Sequence, residues 1–139
     1  MTRHRSLLGL VIDRLREGCT VVFGGWLSNS VDQGQLGRCF ATLGLSWERG
    51  SYQRETVKLN RDAVDPQLAS LLPATYSQKA LYIMNVQRSA AWYVDEGSYK
   101  QEASVVFTKF GMGRLGYFGD VNGETPTHAV VLGMCGLLD

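Results

Sequence analysis

The chain has 139 residues, of which 45% are hydrophobic and 19% charged, and its formal net charge is +1. This length suits one domain over residues 1–139, and the composition argues against disorder. The balanced charge carries no electrostatic signature of nucleic-acid or membrane binding, so we expect neither partner. Because Cys19, Cys39 and Cys135 have neither disulfide nor zinc spacing and no apolar run is of membrane length, we predict a cytoplasmic protein.

A helix and an apolar strand are predicted at the start of the chain. Apolar residues recur there at helical spacing up to Leu15, and Gly18 suits the end of the helix. Residues 20–23 then form an apolar run without polar alternation. Such a run is typical of a strand that is buried on both faces in a parallel sheet.

The middle of the chain alternates between helical and extended patterns. Asp32 suits the cap of a second helix that extends to about Leu43. Residues 52–59 alternate in polarity and predict a strand, and a short helical turn is predicted for residues 66–72.

The second half is predicted to be rich in strands, with a closing helix. Strands are predicted for residues 80–86, 91–94, 105–110 and 114–118. The glycines at 111 and 113 indicate a hairpin between the last two. Thr125 suits the cap of the final helix and Pro126 its first position.

Several segments resemble glutamine-amidotransferase-like and ThuA-like domains, including uncharacterised, mostly fungal relatives. These segments cover residues 18–25, 44–54, 76–80, 113–124 and 133–137. The resemblance implies a mixed, largely parallel sheet flanked by helices, which is a partial flavodoxin-like or class I amidotransferase-like α/β fold with a C-terminal β-hairpin and closing helix. Such domains begin with βα units that are absent here, so we expect an N-terminal truncation or completion by a second copy.

The family resemblance also raises the question of whether this chain has the catalytic residues of class I amidotransferases. Class I amidotransferases carry a cysteine on a strand-to-helix elbow, where a His-Glu pair activates it. The corresponding turn here, residues 23–26, contains no cysteine. We therefore predict a non-catalytic module, lacking the Cys-His-Glu triad, that binds a small molecule or another protein.

A ligand is expected at the carboxyl ends of the strands, where α/β folds place their sites. The candidate ligand-binding residues are Gly24, Gly25, Trp26, Arg54 and Asn122. The loop over residues 119–124 lacks a complete calcium-binding spacing, and no dinucleotide or phosphate-loop motif occurs. We therefore predict neither a metal nor a cofactor.

The alternative is a small-molecule hydrolase or isomerase. In that case His128, Asp120 and Glu124 are the candidate catalytic acid and base groups, and Arg54 holds an anionic substrate. The same loop residues also suit turns and helix caps. Both interpretations stay open at this point.

Self-association is predicted from the missing first strands. Without them the apolar strand over residues 20–23 lies at a sheet edge. Because exposed edges pair with other chains, we expect a homo-oligomer.

Overall fold

The computed structural model describes residues 3–24, 40–95, 102–120 and 124–138. The strands are β1 (Thr20–Phe23), β2 (Glu48–Leu59), β3 (Thr75–Met84), β4 (Ala91–Asp95), β5 (Glu102–Ala103), β6 (Val105–Phe110) and β7 (Gly113–Phe118). The helices are α1 (Arg3–Arg16), α2 (Pro66–Ala69) and α3 (Thr125–Met134), with a 3-10 turn at Arg88–Ala90. The described strands form one seven-stranded sheet in the order β1-β7-β6-β4-β2-β3-β5.

Strand pairing corrects the predicted fold class. Of the described pairings, only β1 with β7 is parallel, and the others are antiparallel. The sheet is curled into a half-barrel with few helices. The largely parallel, helix-flanked, flavodoxin-like or class I amidotransferase-like architecture is therefore wrong. A continuous apolar run suggested a central parallel strand, but β1 lies at an edge of the described sheet and its apolar side chains are only half-buried.

The longest pairing is an antiparallel ribbon of β2 and β3. Burial alternates along the first part of β3, where Tyr76, Gln78 and Ala80 are buried and the residues between them are exposed. This period of two is the pattern of a sheet that packs on one face only. At the other end of the ribbon the Glu102 carboxylate accepts hydrogen bonds from the Ser51 amide and hydroxyl, both at 3.0 Å.

The half-barrel curls because the end of β7 returns to the outer edge of β3. The Leu81 amide donates to the Gly119 carbonyl at 3.1 Å, and Asp120 forms an antiparallel bridge with Ala80. The Gly119 amide in turn donates to the Ser104 carbonyl at 2.8 Å. A Cβ atom at Gly119 would lie 2.0 Å from the Leu81 carbonyl oxygen, so this approach requires glycine.

Two separate clusters of buried apolar side chains cover the sheet. Neighbouring β6 residues Val105 and Val106 belong to different clusters, so the clusters lie on opposite faces. One cluster contains Leu15 from α1 and the edge-to-face pair of Phe40 and Trp47, whose ring centroids are 5.2 Å apart. The other contains Ala69 and Leu72 from the α2 region and Val130 and Met134 from α3.

Several locally specified elements agree with the sequence predictions. Helix α1 is followed by Gly18 at φ +98°, and the hairpin of β6 and β7 is confirmed. The closing helix is also confirmed, although Glu124 rather than Thr125 is its N-cap and Cys135 its C-cap. Of the predicted second helix, residues 40–42 are helical and the preceding residues lie outside the described part of the chain. Within the described residues, no helix is long and apolar enough to cross a membrane.

Candidate functional site

The side chain of Asp120 lies at the junction of β7 and α3. It is 2% exposed. Its Oδ2 atom accepts a hydrogen bond from the Glu124 amide at 2.7 Å and another from the Thr127 hydroxyl at 2.6 Å. Backbone amides in the first turn of a helix have no intrahelical partners, and a carboxylate there also interacts favourably with the helix dipole. Asp120 therefore anchors the start of α3 to the sheet.

A buried polar chain extends from this anchor into the sheet. The Tyr76 hydroxyl donates to Gln78 Oε1 at 3.3 Å, and Gln78 Nε2 donates to the Ser104 hydroxyl. Burial raises the pKa of the Tyr76 phenol above its usual value; the Thr127 hydroxyl opposes this shift and the Asp120 carboxylate adds to it. Tyr76 therefore stays protonated and serves as a hydrogen-bond donor.

Sequence reasoning missed the buried hydrogen-bonded chain of Tyr76, Gln78 and Ser104. The alternating pattern of β3 could have revealed it, because Gln78 lies on the same, buried face of the strand as Tyr76 and Ala80. A polar residue at a buried position must find a hydrogen-bond partner. The identity of that partner depends on strand pairing, which the sequence pattern did not specify.

Glu124 and Arg54, proposed for different roles, meet at the surface. Arg54 Nη2 lies 3.3 Å from Glu124 Oε1, and Arg54 Nη1 donates to the Ser77 hydroxyl at 3.2 Å. The Arg54 side chain is 52% exposed. An exposed pair of this kind contributes about 0–1 kcal/mol to stability, so it orients Arg54 more than it stabilises the fold.

The three candidate catalytic residues lie near one another in the chain, but their described contacts do not form an acid-base set. Asp120 binds the start of α3, and Glu124 contacts Arg54. His128 lies one turn into α3 with an exposed side chain. The described hydrogen bonds of the two carboxylates go to Thr127, to the Glu124 amide and to Arg54 rather than to His128.

The candidate ligand-binding residues are dispersed. Gly24 packs beneath the Phe118 ring, where an added Cβ would lie 2.6 Å from a ring carbon. A side chain at this position would therefore require the Phe118 ring to shift. Arg54 lies on β2, and Gly25, Trp26 and Asn122 lie outside the described residues.

The cysteines and acidic residues give no further site. Cys135 and Cys19 are exposed, and Cys39 lies outside the described residues. In the described part of the chain, no group of three or more His, Cys, Asp and Glu side chains is arranged to hold a metal ion.

Comparisons with known proteins add no identification. No family model, curated protein or solved structure matches this chain. The likeness to amidotransferase-like and ThuA-like domains therefore stays a prediction from sequence segments.

Proposed function

We propose that this chain is a non-catalytic module that binds a small molecule or another protein. The observation that supports this proposal is the bonding of Asp120. Its buried carboxylate accepts hydrogen bonds from the Glu124 amide and the Thr127 hydroxyl. A general base needs access to a substrate proton. A carboxylate that is 2% exposed and committed to a helix start serves structure instead.

A substrate screen tests this proposal against the hydrolase or isomerase alternative. We expect no turnover of ester, amide or isomerisable carbonyl substrates above the rate of a buffer blank. The Asp120→Asn, Glu124→Gln and His128→Ala variants would then leave that background unchanged. Exposed Asp62 provides the matched control, Asp62→Asn. Turnover that Asp120→Asn and His128→Ala abolish, while both variants remain folded at the assay temperature, would establish an enzyme and contradict the non-catalytic function.

Self-association through β1 is part of the same proposal. In the described sheet β1 pairs with β7 on one side only, and Val21, Val22 and Phe23 are half-buried. An unpaired apolar edge is a template for a second copy. Native mass spectrometry is expected to show a dimer or larger assembly, and Val22→Lys is expected to shift it toward monomer. A wild-type protein that is monomeric at every concentration tested would contradict this proposal.

We also propose a cytoplasmic location, without a nucleic-acid or membrane partner and without a cofactor. The sequence features behind this proposal are the scattered cysteines and the balanced charge. Cell fractionation with an antibody against the chain tests the location directly.

A further inference from the structure

The β2–β3 ribbon has one face covered with exposed polar side chains, which we call the cationic face. Its members are Tyr52, Arg54, Thr56 and Lys58 on β2 and Thr75, Ser77 and Lys79 on β3. Residues opposite each other in an antiparallel pair project to the same side of the sheet. The register therefore brings these side chains together, because Arg54 lies opposite Lys79, Thr56 opposite Ser77 and Lys58 opposite Thr75.

The arrangement of charge on this face does not stabilise the fold. The whole chain has a formal net charge of only +1, yet the cationic face carries three basic side chains. Arg54 and Lys79 are direct cross-strand neighbours, and like charges at such positions destabilise a sheet. Lys109 and Arg114 form a second pair of this kind on β6 and β7, so what distinguishes the cationic face is the carboxylate that Arg54 already contacts.

The face already holds one carboxylate, which indicates the chemistry that it fits. Arg54 contacts Glu124 Oε1 at 3.3 Å while its other terminal nitrogen donates to Ser77. A second cation, Lys79, lies opposite Arg54 in the register, and its Nζ is 5.5 Å from the centroid of the Tyr52 ring. A carboxylate ligand would find two cations and nearby hydroxyl donors.

The openness of the face favours an extended ligand over a compact one. Small-molecule sites are concave and enclose most of the ligand. Here Tyr52 is 45% exposed and the Arg54 side chain 52% exposed. Arg54 and Lys79 lie opposite each other on adjacent strands of this open surface, and an extended peptide can lie along such strands.

We propose that the cationic face binds an acidic, extended peptide segment of a partner protein, with carboxylates at Arg54 and Lys79. This proposal rests on the proposed function as a binding module and names the class of its partner. Glu124 then acts as an internal competitor, because its carboxylate contacts the same guanidinium.

Fluorescence anisotropy with a labelled peptide of alternating Glu and Ser tests the proposal. The Arg54→Gln, Lys79→Gln double variant is expected to bind the peptide about tenfold more weakly, since each exposed charge pair contributes up to about 1 kcal/mol. The matched control is Lys109→Gln, Arg114→Gln, which removes another exposed cross-strand pair of cations from β6 and β7. The control is expected to bind within about twofold of the wild type, because its cations lie outside the proposed surface.

A second variant is expected to change the affinity for the peptide in the opposite direction. Glu124→Gln removes the competing carboxylate and is expected to strengthen peptide binding about two- to fivefold. Thermal melts of every variant check that each is folded. Added salt is expected to weaken binding, because exposed charge pairs are screened.

Three outcomes would overturn the acidic-peptide proposal. They are no binding by folded wild-type protein at millimolar concentration, an equal loss in both double variants, and tighter binding of a single-stranded oligonucleotide of equal charge. These outcomes do not decide whether the protein is catalytic, because the substrate screen tests that separately.

Discussion

Asp120→Ala is expected to lower the free energy of unfolding by about 3 kcal/mol. The substitution removes two hydrogen bonds to a charged acceptor, and each such bond contributes about 1.5–3 kcal/mol. It also leaves the Glu124 amide and the Thr127 hydroxyl without the partner that they have in the fold. For a chain of this length, the expected fall in melting temperature is about 10 °C, measured by calorimetry.

Two controls separate this anchor from a general effect of removing charge. Asp120→Asn keeps an oxygen acceptor, so we expect a loss of about 1 kcal/mol. Asp62→Ala removes an exposed carboxylate and is expected to change stability by less than about 0.5 kcal/mol. An Asp120→Ala protein as stable as the wild type would mean that this carboxylate does not anchor α3.

Gly119→Ala is expected to destabilise the protein by about 3 kcal/mol, at the upper end of overpacking effects. The new methyl group would lie 2.0 Å from the Leu81 carbonyl oxygen and 2.9 Å from the Leu81 carbonyl carbon. Both contacts are with backbone atoms, so a side-chain rotation cannot relieve them. The Leu81 amide is expected to exchange hydrogen faster in the variant, because its bond to the Gly119 carbonyl weakens.

Gly9→Ala is the matched control for this substitution. Gly9 lies within α1, and an added Cβ there meets nothing within 4 Å. Alanine at a helix position of this kind is expected to raise stability by about 0.5–1 kcal/mol. The contrary result is a Gly119→Ala protein that matches Gly9→Ala in melting temperature and in the hydrogen-exchange rate of the Leu81 amide. That result would refute the Gly119–Leu81 contact that closes the half-barrel.

The sequence by itself determined elements whose causes are local. Gly18 ends α1 because glycine adopts its positive φ without strain. The two-residue connection at 111–112 leaves β6 and β7 no alternative to antiparallel pairing. Pro126 lacks an amide hydrogen and is therefore tolerated in the first turn of α3.

Strand partners were decided only by the tertiary structure. β1 pairs with β7, which comes from the other half of the chain, although β2 is the next of the described strands in sequence. Pairing uses backbone groups that every residue except proline carries, so an apolar run can identify a strand without identifying its neighbour. For this reason the predicted parallel sheet was wrong while the strands over 20–23 and 105–118 were located correctly.

The contacts of the candidate site residues were likewise decided only by the tertiary structure. The residue types in the 119–124 loop suited both a helix cap and an acid-base group, and the contact of Asp120 with Thr127 supports the cap. The overall charge balance concealed the cationic face, because net charge sums over the whole surface. Only the register of β2 and β3 places Arg54 beside Lys79, since side-chain direction alternates along a strand and the fold decides which face is left exposed.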